Sequence, residues 1–98
     1  MNSKIETYVG FAIKKGSAVF GVDTISRYRK KMYLLLYVET LSDNSLKALT
    51  AVAEKIGCPL VKIADCGQLQ SRNCKAIAIC DKQLSDAILN TAFGGNNG

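Results

Sequence analysis

The residues best suited to chemistry are cations set around a glycine turn. Lys14 and Lys15 precede Gly16, Gly21 closes a short apolar stretch, and Arg27, Lys30 and Lys31 follow at i, i+3 and i+4. On a helix that spacing puts the three on one face. Gly21 lets the backbone approach a ligand closely, and the free N–H groups of a helix opening after it can hydrogen-bond a phosphate. The chemistry implied is anion binding, with Lys14 and Lys15 brought to the same rim if the chain turns back after the apolar stretch. A plainer reading stands beside it: Asp23 and Arg27 at i, i+4 make an ordinary helix ion pair of about 0.3–0.5 kcal/mol, and a solvated helix end is often basic. Gly16 and Gly21 fit neither a Gly-x-Gly-x-x-Gly fingerprint nor a P-loop.

The charge arithmetic favours the first reading. Of the 98 residues, the first 31 hold seven cations against Glu6 and Asp23, whereas the remainder holds six cations against six acids. The whole net charge of +5 therefore falls in the first third. Such asymmetry points to an anionic partner, nucleic acid or another phosphate-bearing surface.

Other chemistries are poorly supplied. The chain has no histidine, which removes Ser-His and Cys-His nucleophilic sites. Cys58, Cys66, Cys74 and Cys80 are spaced by 8, 8 and 6 residues, with no C-x-x-C pair and no zinc-ligand pattern. They read as reduced thiols that pack as small apolar groups. Thiol chemistry at Cys66 and Cys80 would have to work beside Asp65 and Asp81, and a neighbouring carboxylate opposes the thiolate. No metal or cofactor is expected. The longest apolar run, Met32 to Val38, is seven residues, far short of the ~18 of a membrane span. The start of the chain lacks the apolar stretch of a signal peptide, so a cytoplasmic location is expected.

Elements able to position these residues follow from periodicity and caps. Ser3 with Glu6 has capping-box spacing, Ile5, Val9, Ala12 and Ile13 recur at helical intervals, and Gly16 offers a left-handed stop. Residues 17–20 predict a short strand. Val22, Ile25 and Met32, with Asp23 early and Arg27 to Lys31 late, predict a second helix running through the cations. Met32 to Val38 predicts a strand apolar on both faces and central in its sheet. Ser42 and Asp43 cap a third helix whose Leu46, Leu49, Ala53 and Ile56 turn inward before Gly57 and Pro59. Residues 60–64 predict a strand, 65–73 a polar loop or one helical turn around Leu69, and 76–80 a fourth strand. Asp81 caps a last helix with Leu84, Ala87, Ile88 and Thr91 inward. Strands alternating with helices imply an α/β domain over residues 1–93, helices covering both faces of a four-stranded sheet, with residues 94–98 as a tail.

Taken in order, the string from Gly10 through Lys14-Lys15-Gly16 to Gly21-Val-Asp-Thr-Ile, the Leu-rich strand, Ser42-Asp43-Asn44-Ser45 opening a helix, and Gly57-Cys58-Pro59 resemble the bacterial branch of the ribosomal protein L-seven-Ae family. The resemblance covers roughly residues 5–92. It implies a three-layer α/β/α sandwich with a four-stranded mixed sheet. It also implies a non-enzymatic protein that binds kink-turn or ribosomal RNA rather than DNA or a membrane. The family's RNA-contacting motif, often Gly-x-Asn-Glu-x-x-Lys, matches Gly21, Asp23, Thr24 and Arg27, so the amide and carboxylate are replaced while the cation is kept. Relatives also close on RNA with a Leu-Gly turn before the last strand; here Leu69 is followed by Gln70, and the loop through Ser71, Arg72 and Asn73 is shorter. Together the residues and the resemblance assign Lys14, Lys15, Gly21, Asp23, Thr24, Arg27, Lys30 and Lys31 to RNA binding. The alternative is a protein-interaction module on the same scaffold, with the basic rim facing an acidic partner.

Overall fold

The computed structural model describes residues 3–65 and 67–94. Cys66 and residues 95–98 of the expected tail lie outside the described residues, as does the Ser3 side chain of the expected capping box. The elements in chain order are α1 (Ser3–Lys15), β1 (Ala18–Phe20), α2 (Val22–Arg27), β2 (Leu34–Val38), α3 (Asp43–Ile56), β3 (Leu60–Ile63), α4 (Gly67–Ser71), β4 (Ala76–Ile79) and α5 (Lys82–Leu89), followed by a π-helical turn at Asn90–Gly94.

The strands form one mixed sheet in the order β1-β4-β2-β3. β4 runs antiparallel to both β1 and β2, and β2 runs parallel to β3. β2 is interior, as its two-sided apolar run predicts. Successive side chains of a strand point to opposite faces, and the two cores divide accordingly. Leu34, Leu36 and Val38 of β2 join Ile77 and Ile79 of β4, Ile5, Val9 and Ala12 of α1, and Ile88 of α5. Leu35 joins Ala76 and Ala78, Ile25 of α2, and Leu49 and Ala53 of α3 on the other side. The architecture is the expected three-layer α/β/α sandwich, with α1 against α5 on one face and α2 against α3 on the other.

Helix ends fall where the caps predict. Ser42 Oγ accepts from the Ser45 N–H at 3.2 Å, α3 stops at Gly57 with φ 73°, and Asp81 Oδ1 accepts from the Leu84 N–H at 2.9 Å. Strand limits differ by a residue or two from the sequence reading: β1 begins at Ala18, β2 at Leu34, β3 ends at Ile63 and β4 at Ile79. Residues 67–71 form the helical turn around buried Leu69. Two inward assignments need correction. Ile56 is 43% exposed, because α3 unwinds at the next residue before its last turn can reach the sheet. Thr91 sits in the π-helical turn, half-buried, its Oγ1 donating to the Ala87 carbonyl at 2.9 Å.

The largest correction concerns α2. The helix stops at Arg27, and Tyr28 is already extended with φ −69° and ψ 134°. Continuing it would stack Arg27 against Lys30 and Lys31, and like charges at those spacings destabilise a helix. A six-residue helix has little cooperativity with which to resist. Residues 28–33 instead form an irregular lead into β2, with Met32 buried beneath it.

Candidate nucleic-acid interface

The strand registers decide which sequence-predicted residues meet. At one end of the sheet β1 finishes, and the Gly21 N–H donates to the Ala76 carbonyl, where β4 begins, at 3.0 Å. At the other end the Cys80 N–H donates to the Ser17 carbonyl at 2.8 Å and the Tyr33 N–H to the Ile79 carbonyl at 2.9 Å. Lys14 and Lys15, ending α1 just before Ser17, therefore stand at the opposite end from Gly21, and so do Lys30 and Lys31 just before Tyr33. The expected single rim is two separate sites, about four strand residues or 13 Å apart along β4. Arg27, exposed at the last residue of α2, has travelled away from Gly21 by six residues of helix, about 9 Å.

The Gly21 end gathers Gly21, Val22 and Asp23 with Leu41 and Ser45 from the β2–α3 connection, and Asn73, Cys74, Lys75 and Ala76 from the α4–β4 connection. They line an open depression of about 270 Å³. Gly21 has φ 87° and ψ 143°, and nothing lies within 4 Å of the position a Cβ would take. The glycine is there for its backbone angle, which other residues rarely adopt, and the space above it is open. Asp23 and Thr24 are both exposed on the first turn of α2. Asp23 does not form the expected ion pair with Arg27 among the described residues, so its carboxylate faces solvent as a hydrogen-bond acceptor only.

Two cations missed at the sequence level sit at this end. Arg72 places its guanidinium 4.8 Å from the centroid of the Phe20 ring, a cation–π arrangement that holds it beside the Gly21 turn. Lys75 reaches across to donate to the Thr40 carbonyl at 3.3 Å. Arg72 and Phe20 are 52 positions apart, so no local spacing reveals them. The antiparallel pairing of the first and last strands would have done so, because Phe20 lies opposite Ile77.

The α4–β4 connection is held from below. Glu6 Oε2 accepts from the Gly67 N–H at 3.1 Å, and Gln68 Nε2 donates to the Glu6 carbonyl at 3.2 Å. Gly10 leaves room for that docking, since a Cβ there would lie 3.2 Å from the Gln68 amide and press on it. α4 ends with the Cys74 N–H donating to the Leu69 carbonyl at 3.0 Å, around Asn73 at φ 54°. Asparagine is among the few residues that accept that left-handed conformation readily.

At the opposite end, Lys15 pairs with Asp81. The Lys15 ammonium, together with the Leu84 N–H, holds the Asp81 carboxyl below its ordinary value. Burial pushes the Cys80 thiol up, with a smaller opposing contribution from the neighbouring Tyr28 hydroxyl. The same contact raises the Tyr28 hydroxyl. Among the described residues no cluster of acids and thiols is placed to hold a metal ion, and no helix is long and apolar enough to cross a membrane.

The fold defines the class of molecule: an α/β/α sandwich on a four-stranded mixed sheet. No family model and no curated protein matches the chain. It is similar to a solved structure described as a protein with unknown function from Bacillus halodurans C, with a TM-score of 0.78 over 90% of this chain and 95% of that one. At 14% identity the likeness is one of fold.

Proposed function

We propose that this chain is a non-enzymatic RNA-binding protein of the L-seven-Ae type. It contacts structured RNA, kink-turn-like or ribosomal, through the Gly21 turn, the start of α2 and residues 72–75. One observation carries this reading: the open Gly21 turn and the α4–β4 connection, remote in sequence, share the walls of one depression. These are the two segments that the family resemblance assigns to RNA. The chemistry of the depression suits nucleobase edges more than bare phosphates. Asp23 accepts hydrogen bonds from base amino groups and Asn73 offers both donor and acceptor; outside the depression but at the same end of the sheet, Arg72 on Phe20 presents a planar donor fork. The absence of histidine and a Cys80 thiol kept protonated by burial favour a binding role over a catalytic one.

Gel-shift titration with an RNA helix interrupted by a kinked internal loop tests the proposal. Arg72→Ala with Lys75→Ala is expected to weaken binding about tenfold or more; unchanged affinity overturns the reading. If the purified protein carries no nucleic-acid absorbance at 260 nm and shifts no ribosomal RNA fragment, the protein-interaction module takes its place.

A further inference from the structure

The opposite end of the sheet carries a different kind of surface. Three chain segments lie side by side there: the end of α1, the residues after β4, and the lead into β2. They are joined by the Cys80-to-Ser17 and Tyr33-to-Ile79 hydrogen bonds. Two strand spacings, roughly 10 Å, separate the first segment from the last. Lys14, Lys15, Arg29, Lys30 and Lys31 are all exposed on these segments. The acid among them, Asp81, is occupied by Lys15 and by capping α5. Lys31 lies over the Tyr33 ring, its Nζ 5.5 Å from the centroid. Lys14, Arg29 and Lys30 have no acidic partner among the described residues.

A protein–protein interface has an apolar centre depleted of lysine and a polar rim. Here exposed cations line both outer segments, and the middle one carries Asp81, already paired with Lys15. Among the described residues the exposed large apolar side chains are Phe11 on α1 and Ile56 at the end of α3, on the helical layers and not on these three segments. Long cationic side chains without an apolar anchor suit a regular row of phosphates, where neutralising each one releases counterions. Along β4 the two ends lie about 13 Å apart, more than a Debye length of about 8 Å at physiological salt, so screening weakens the reach of one end's charges to the other.

We propose that this end is a second, independent RNA surface that grips the sugar–phosphate backbone of a helical stem without regard to sequence. One molecule then bridges two RNA elements, a stem at the cationic end and a kinked or looped element at the Gly21 end. The bridging half rests on the function proposed above; the phosphate grip does not.

The test uses fluorescence anisotropy of a labelled plain RNA stem-loop, with no internal loop, over a series of salt concentrations. Lys30→Ala with Lys31→Ala is expected to weaken binding about tenfold at low salt. The slope of log affinity against log salt should fall by about 1.8, two phosphates at about 0.9 each. Lys30→Arg with Lys31→Arg should restore both. Arg72→Ala with Lys75→Ala should leave stem binding unchanged while it weakens binding of the kinked RNA. A wild-type slope in the Lys30/Lys31 alanine variant overturns the second surface, as does tighter binding of a poly-glutamate peptide than of the stem at equal salt. The two readings fail separately once both RNAs are titrated against both variants: loss of Arg72 and Lys75 must weaken the kinked RNA relative to the plain stem, and loss of Lys30 and Lys31 must lower the salt slope on the plain stem. Energy transfer between differently labelled kinked RNA and stem, present only when the protein is added at sub-stoichiometric amounts, supports bridging; its absence overturns it.

Discussion

The two ends of the sheet differ in how they hold charge. At the Gly21 end, Asp23 shares a depression with Lys75, Arg72 rests on an aromatic ring, and Lys75 is tied to a backbone carbonyl. At the other end Lys14 and Lys15 close α1, Arg29, Lys30 and Lys31 lie on irregular chain, and the acid there is already taken by Lys15. The first arrangement fixes directions, as hydrogen bonding to particular groups requires. The second supplies field with little direction, as a repeating polyanion requires. Phosphate contacts position a nucleic acid and base contacts specify it; under the proposed function these two tasks fall to opposite ends of the strands.

Perturbations should separate the ends or abolish both. The largest effect is expected from Leu36→Ala: this side chain is fully buried in the interior strand, and its truncation should cost about 2–5 kcal/mol. Chemical denaturation should show both ends lost in a single transition; two transitions would mean that the ends fold independently. Next comes Gly21→Val. Its backbone angles are close to a region that is almost exclusive to glycine, so the substitution should cost about 1–3 kcal/mol. Amide exchange should accelerate around Ala76 and Ile25, the hydrogen-bond partners of Gly21, and not around Ser17 or Tyr33. Arg72→Ala removes the contact with Phe20 and should cost about 0.5–1 kcal/mol in thermal melts, again confined to the Gly21 end.

Two smaller effects address the cationic end. Asp81→Asn should lower the melting temperature at neutral pH. Because the native Asp81 carboxyl sits below its ordinary value, its contribution is complete above the ordinary carboxylate range and is lost as pH falls through the lower native value. Wild type and variant should therefore converge in melting temperature as the solution is acidified through that window. Cys80, pushed up by burial, should alkylate slowly at neutral pH. Tyr28→Phe removes the hydroxyl that opposes this shift, so it should slow alkylation by iodoacetamide further.

The sandwich was legible because its signals are local. Gly57 stops α3 and Asp81 starts α5 through the backbone geometry of single residues, and the uninterrupted Leu run of β2 marks an interior strand without reference to its neighbours. The candidate site was legible only in part. Gly21 and Asp23 stand together as their adjacency requires, but Lys14 and Lys31, seven and ten positions from Gly21, are carried to the far end by one short strand and one short helix. Proximity in sequence hid that displacement. The helical face drawn through Arg27, Lys30 and Lys31 failed because the chain turns extended at Tyr28 and by Tyr33 already bonds β4, and stacked like charges give the helix no reason to continue. Arg72 was invisible because its partner, Phe20, comes from a strand paired across most of the chain.

Among the described residues, the order β1-β4-β2-β3 leaves β1 and β3 with one unpaired side each. Exposed strand edges are templates for joining another sheet, and proteins limit that hazard with short edges and outward lysines. β1 offers three residues, and β3 offers four with Lys62 exposed among them. Were copies to gather along a polyanion as proposed, their local concentration would rise, and these blunted margins would let neighbours crowd together without zipping their sheets into an aggregate.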